Sequence, residues 1–339
     1  MLPAFDNQRI LLIRLGSFGD LIFTLPAVHL VRKSFPAARI TFLVYKEYAS
    51  LLEGFAGIDA VMTLDRERYR CLNPMSIGAE TVSLLSHLAR NRFRLVVDFQ
   101  GFGETGVLTR LSCAPHRWGI VYKPARKWAY THPVWRNNEL HPVAYNLELL
   151  RQAGGVVTDR ICNEFVPSQR TMEEARHFFA NHKLQLDHVT LFIQPFTSDR
   201  NKTWPLEKYL ATAQHWRNCG VQILFGGGPA DRPALEPVRQ AGFAVAAGAS
   251  PLLSAGLVKL SSLVLGGDTG LMHLAVALNK RVIMLMSSTH AGACIPFGHP
   301  EWAIAPPNGS AVHSIAADVV KRACDEALLE LRSTDRASA

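Results

Sequence analysis

The feature that most constrains this chain is a recurring unit: a short continuous apolar run, a glycine-bearing loop, then a stretch of helical character. Residues 9–15, 40–45, 60–64 and 95–99 are such runs in the first half; 188–194, 221–225, 263–265 and 282–286 repeat the pattern in the second. Helices are expected over 20–34 and 76–91, then over 205–218, 231–241, from about 270, and over 315–332. Strands that are apolar on both faces belong to parallel sheets covered by helices on each side; a half-exposed strand alternates instead. The pattern runs, weakens through a basic and less regular middle section, and starts again. Two doubly wound α/β domains are therefore expected, with a junction within 155–187. The boundaries read as 1–165, 166–315, and a closing helix and tail over 316–339.

The remaining composition narrows the class. The 339 residues, 48% of them hydrophobic, suffice for two cores. No apolar run nears the ~18 residues that span a bilayer, and the run Ile10-Leu11-Leu12-Ile13 is cut by Arg14, which makes a poor signal-peptide core. Six cysteines (71, 113, 162, 219, 294, 324) lie far apart without a C-x-x-C pair, which argues against a disulfide framework or zinc knuckle. A soluble intracellular protein is the expectation. Charge is uneven: residues 1–165 carry 20 Lys/Arg against 14 Asp/Glu, and 166–339 carry 16 against 14. Arg110, Arg117, Lys123, Arg126, Lys127 and Arg136 fall in a stretch, 105–138, with no acidic residue, and Arg66, Arg68 and Arg70 form a second cluster. Such a face is either solvated surface or a contact for an anionic partner, and charge alone does not choose between them.

Ligands of open parallel sheets sit beyond the carboxyl ends of the strands, so the loops after strands are where chemistry is sought. In Arg14-Leu15-Gly16-Ser17-Phe18-Gly19-Asp20, glycines permit a tight turn and Asp20 falls near a helix start, as an N-cap or as a general base. The loop Gln194 to Pro205 holds Thr197, Ser198 and Lys202, groups suited to a diphosphate or simply to solvent. Gly226-Gly227-Gly228 after a strand permits close approach of a ribose or base. Gly266-Gly267-Asp268-Thr269-Gly270-Leu271-Met272-His273 joins a buried strand to a helix, whose first amides make an anion site. Thr269 and His273, four apart, share a face of that helix. The loop after the first strand is not the dinucleotide fingerprint, since G-x-G-x-x-G is absent there; no Walker A sequence and no D-x-D sequence occurs in the chain.

The Gly-Ser-Phe-Gly-Asp loop, Asp98-Phe99-Gln100-Gly101, Lys202-Thr203-Trp204-Pro205 and Gly267 to His273 occur together in this order. That combination resembles glycosyltransferase family 9, whose best-known members are ADP-heptose:lipopolysaccharide heptosyltransferases, over roughly residues 9–330. The resemblance implies a GT-B fold: two Rossmann-like domains facing a cleft, acceptor on the first and nucleotide sugar on the second, the final helix crossing back. It implies Asp20 as catalytic base. On the donor side it implies Thr197, Ser198, Lys202, Gly226, Asp268, Thr269, Gly270 and His273. Gly19, Gln100, Arg126 and Lys127 are the acceptor-side candidates. Ser287 to Ala293 departs from the family's Gly-Pro-Thr-Asp-Pro-like stretch.

The implied reaction is inverting and metal-independent, with ADP-heptose as donor and an anionic glycolipid of the lipopolysaccharide core as acceptor. No cofactor or metal is expected, and no nucleic acid. The place of work is the cytoplasmic face of the inner membrane, by peripheral contact. A nicotinamide oxidoreductase lacks the fingerprint at the first strand's loop and the ribose-binding acid at the expected spacing; a nucleotide-sugar epimerase of the same fold and a non-catalytic nucleotide-sugar binder are the alternatives.

Overall fold

The apolar runs become strands of two all-parallel sheets. The structure, a computed structural model, describes every residue except 1–4, 6, 67–83, 85, 87, 291, 308, 309 and 339, and for residues 200 and 332–338 the backbone alone. The chain divides into two units, Met1–Phe165 and Val166–Ala339.

The first unit contains β1 (Arg9–Ile13), β2 (Arg39–Tyr45), β3 (Ala60–Leu64), β4 (Leu95–Asp98), β5 (His116–Val121) and β6 (His132–Trp135), in the sheet order β3-β2-β1-β4-β5-β6. The second contains β7 (Thr190–Gln194), β8 (Gln222–Gly227), β9 (Ala244–Ala247), β10 (Leu263–Gly267), β11 (Arg281–Leu285) and β12 (Ala303–Ile304), in the order β12-β11-β10-β7-β8-β9. Each chain half starts in the middle of its sheet, fills one edge, and returns to fill the other. The reversal falls between β1 and β4 in one unit, and between β7 and β10 in the other. Register places Ile10 beside both Ile40 and Leu95, and Leu263 beside both Leu191 and Arg281.

The central strands β4, β7 and β10 are buried throughout, as are Ile10 to Ile13 of β1, which is why they read as continuous apolar runs. Edge strand β3 alternates instead, with Val61 exposed. Two strands lie in the middle section read as irregular. β5 carries His116, Arg117 and Gly119 among its apolar residues, and β6 is four residues long with a proline inside, tolerated because it is an edge.

The helix expected over 20–34 is two: α1 (Phe18–Ile22) and α2 (Leu25–Ser34), divided at Phe23 and Thr24 because Pro26 opens the first turn of the second. Next come α3 (Gly103–Leu111) and α4 (Pro142–Gly154), which ends on Gly155 at φ 63°, the left-handed cap that glycine adopts freely. Phe165 closes the first unit, its ring edge-on to Phe55 with centroids 6.1 Å apart. The segment expected as a junction holds a helix of the second unit, α5 (Gln169–Asn181), lying on α8 (Pro251–Leu260). A Cβ added to Gly256 would stand 2.8 Å from the Ala175 Cβ, so the small residue sets that close approach.

The remaining second-unit helices are α6 (Leu206–Asn218), α7 (Glu236–Gln240), α9 (Gly270–Ala277) and α10 (Ala317–Ser338). Val320, Cys324, Ala327 and Leu328 of α10 join the second unit's core, and Trp216 donates to Asp325 at 3.0 Å. Through its described side chains the closing helix therefore packs on the second sheet. No helix among the described residues is long and apolar enough to cross a membrane. Most of the helix expected over 76–91, with Arg68 and Arg70, lies outside the described residues.

Candidate active site

Of the loops singled out in sequence, those after β1, β7 and β10 fall at the two strand reversals, while the glycine run after β8 lies one strand away. In the first unit, the β1 loop turns into α1 through a capping box. Ser17 is the N-cap, and its amide and hydroxyl donate to Asp20 Oδ2 at 3.0 and 2.9 Å. Asp20 is thus the third residue of the helix rather than its cap. Its other oxygen, Oδ1, accepts from Arg14 Nη2 at 2.7 Å. Burial would raise the Asp20 pKa; the Arg14 charge and the Ser17 donors outweigh it and hold the carboxyl below the ordinary range. The carboxylate remains 37% exposed while Arg14 is 4% exposed, so the carboxylate faces out and the guanidinium lies beneath it. Gly16 is required here, because a Cβ would come within 2.8 Å of Asp20. Gly19 occupies the first turn of α1.

Arg14 also donates to the carbonyl of Phe99, tying the β1 loop to the β4 loop. That second loop is held by Asp98, fully buried, which accepts from Tyr130 at 2.7 Å and from the amides of Gln100 and Gly101 at 2.9 and 3.0 Å. Burial pushes the Asp98 carboxyl up, and those donors partly offset it. Gly101 sits at φ +70°, where a Cβ would strike the Ile120 carbonyl. Gln100 is 4% exposed and its Oε1 makes no hydrogen bond among the described residues. Arg126 reaches this loop, donating to the Gly101 carbonyl at 2.7 Å, while Lys127 lies over the Trp135 ring at 5.0 Å. Arg14 is the member that sequence reasoning missed; a charge inside an otherwise buried run was the available signal.

The second unit repeats the plan. Lys202, on the loop after β7, donates to Asp268 Oδ2 at 2.8 Å on the loop after β10. His273, one turn into α9 and 5% exposed, meets Asp268 Oδ1 at 3.2 Å. Desolvation would raise the Asp268 pKa, but His273 and Lys202 pull it down to about 2. The same hydrogen bond raises the Lys202 pKa, so the ammonium stays charged. Thr269 is the N-cap of α9 in extended conformation, yet its hydroxyl makes no cap bond and no other hydrogen bond among the described residues. The helix therefore presents first-turn amides without a side-chain cap, beside a lysine.

Thr197 is committed within its own loop, bonding the Asp199 carbonyl at 2.5 Å and the Thr203 hydroxyl at 3.1 Å; Ser198 is exposed on it. Gly267 lets this loop approach β10, since a Cβ would lie 2.6 Å from Thr197 Cγ2 and 3.0 Å from the Lys202 carbonyl. Lys202, Asp268, Thr269, Gly270 and His273 are thus gathered at one reversal. Gly226 lies buried in the end of β8, where a Cβ would strike the Phe192 ring. That glycine has a packing reason of its own.

A model of glycosyltransferase family 9 (heptosyltransferase) matches residues 81–312. The chain belongs to glycosyltransferase family 9. As a member, it is a glycosyltransferase, and its two sheets are the expected α/β fold. Similar proteins include lipopolysaccharide heptosyltransferase 1 of Escherichia coli O18:K1:H7, 23% identical and covering 94% of this chain and 98% of that one. The enzyme of that name from Salmonella typhimurium is 24% identical, over 92% and 98%. Among solved structures, a family 9 glycosyl transferase from Veillonella parvula has a TM-score of 0.85 at 20% identity, covering 97% of this chain and 99% of that one. E. coli heptosyltransferase WaaC with ADP-2-deoxy-2-fluoro heptose gives 0.77 at 22%, over 94% and 99%. A UDP-GlcNAc 2-epimerase from Methanocaldococcus jannaschii gives 0.52. Family 9 membership, not the shared architecture, is what separates this chain from the epimerases.

Proposed function

We propose that this family 9 glycosyltransferase moves a heptose from ADP-heptose to an anionic acceptor of the lipopolysaccharide core, with inversion and without a divalent metal. The observation that carries the donor side is the Lys202–Asp268–His273 cluster beside the uncapped N-terminus of α9. A departing nucleoside diphosphate carries charge that must be held in place. Helix-end amides and a lysine kept charged by its neighbour supply that electrostatic stabilisation before the substrate arrives. Both Asp268 oxygens are engaged by protein donors, so this carboxylate is an ion-pair partner rather than an open ligand for a divalent ion. Thr197, Ser198, Thr269 and Gly270 are the remaining donor contacts in this reading.

On the acceptor side, Asp20 takes the proton. The acceptor hydroxyl oxygen attacks the anomeric carbon from the face opposite the diphosphate. The bond from that carbon to the phosphate oxygen breaks, and ADP leaves with the electron pair. A carboxylate held below its ordinary pKa is a weak base for a free alcohol. It suffices once the new carbon–oxygen bond has begun to form, because the attacking oxygen then becomes strongly acidic; proton transfer is late and concerted. Gly19 and Gln100 border this position, and Arg126 and Lys127 offer charge to a phosphorylated or carboxylated acceptor. The work takes place at the cytoplasmic face of the inner membrane, reached by salt-sensitive peripheral contact.

Incubation with ADP-heptose and a core-truncated lipopolysaccharide, with and without EDTA, tests this reading. Sugar transfer unaffected by EDTA, with inverted anomeric configuration by NMR, is expected. Donor consumption without a glycosylated acceptor, or complete loss of transfer in EDTA, overturns it.

A further inference from the structure

Helix α3 has its faces assigned in an unusual way. Thr105, Gly106, Leu108 and Thr109 point inward and are buried. The outward face carries Val107, 41% exposed, and Leu111, 43% exposed, with Phe102 at its N-cap 41% exposed. A water-facing helix side is ordinarily polar. The short turn of 3-10 helix Pro124–Ala129 packs alongside α3, where a Cβ on Gly106 would stand 3.4 Å from the Ala129 Cβ. It turns Trp128 outward at 56% exposure, and Trp135 at the end of β6 is 50% exposed.

Cations are interleaved with these apolar groups. Of the six in 105–138, three are tied to the protein: Arg117 donates to the Ala129 and Ala114 carbonyls, Arg126 to the Gly101 carbonyl, and Arg136 to the Tyr122 hydroxyl. Arg110, Lys123 and Lys127 are exposed, and Glu104 is the carboxylate on the outward face of α3. Tryptophan and phenylalanine beside lysine and arginine are the side chains that settle at the boundary between lipid headgroups and acyl chains: rings on the apolar side, cations toward phosphate.

We propose that this face of the first unit is a docking surface for an anionic phospholipid bilayer, with Trp128, Trp135, Val107 and Leu111 entering the headgroup layer and Arg110, Lys123 and Lys127 meeting lipid phosphate. The proposal extends the reading of the enzyme as one working on a membrane glycolipid, but binding to lipid is measured without any transfer. Positive charge without intervening carboxylates between residues 105 and 138 selects an anionic surface, and the exposed rings select a bilayer over a purely polar polyanion.

The test is cosedimentation of the full chain with vesicles of phosphatidylcholine, with and without phosphatidylglycerol and free of glycolipid, for wild type and the double variant Trp128→Ser, Leu111→Ser. Wild type binds the anionic vesicles and not the neutral ones, and the variant binds at least ~10-fold more weakly. Its ADP affinity and melting temperature stay those of the wild type, as does its transfer to a delipidated, soluble acceptor. Equal binding by both proteins, no binding of wild type to anionic vesicles at low salt, or equal binding to neutral vesicles each overturns the proposal. Intact vesicle binding by a protein that transfers no heptose would count against the proposed function and leave the docking surface standing.

Discussion

Lys202 and Asp268, 66 residues apart in sequence, meet at 2.8 Å across the reversal of the second sheet. The first unit contains a counterpart, in which Arg14 holds Asp20 at 2.7 Å and also reaches the Phe99 carbonyl on the β4 loop. In both units a cation from the loop of the first central strand bridges to the loop of the neighbouring strand filled later. Each candidate group is therefore oriented before a ligand arrives, which is how fixed charges contribute most to a transition state.

If Lys202 faces the donor diphosphate, Lys202→Ala removes one charge-assisted contact. Titration calorimetry should show ADP affinity reduced by roughly 10- to 100-fold, the worth of such a bond. An unchanged Kd would remove Lys202 from the site.

The Asp268 carboxyl, held at about 2 in the folded chain, lies below its unfolded value of ~3.9. A depressed carboxylate stabilises the fold fully above the unfolded pKa and loses that contribution as pH falls through the folded one. Asp268→Asn should therefore cost on the order of 2 kcal/mol at neutral pH, a difference that shrinks as pH drops below about 4. Denaturant titrations of both proteins across that range measure it; a gap that stays constant would contradict the assignment.

Arg14 keeps the Asp20 carboxyl low. Because the base must be ionised to act, activity is lost only on the acid side of that pKa. Arg14→Gln should move the acid limb of the kcat/KM profile to higher pH. A merely structural arginine would lower the plateau and leave the limb where it is.

Gly101→Ala forces a Cβ onto φ +70° beside the Ile120 carbonyl. Urea unfolding should show a loss of ~1–3 kcal/mol from the backbone conformation alone. Unaltered stability would mean that the β4 loop has room to relax.

Much of this was legible because of burial. Ile10 to Ile13 of β1, with β4, β7 and β10, are covered on both faces, and apolarity has no other cause in such short runs. β5, β6, β9 and β12 escaped: the first mixes His116, Arg117 and Gly119 into its run, the second is a four-residue edge with Pro133, the third is the small-residue run Ala244–Ala247, and the last is two residues long. α5 escaped because only Thr171, Ala175 and Phe179 are buried, a stripe one residue wide among polar neighbours. The site loops were found by position after strands. Their pairings were not, since Arg14 to Phe99 and Lys202 to Asp268 depend on which strands become neighbours.

The central claim is that Asp20 takes the acceptor proton, and single-turnover transfer by Asp20→Asn tests it most directly. The asparagine keeps the size of the side chain and one acceptor oxygen, so fold and ADP affinity should persist, checked by melting and calorimetry on the same preparation. The account predicts a chemical step slowed by ~10²–10⁴-fold, the usual contribution of general base catalysis. Transfer at the wild-type rate by the folded variant would contradict it and leave Asp20 as the acidic half of the Ser17 capping box.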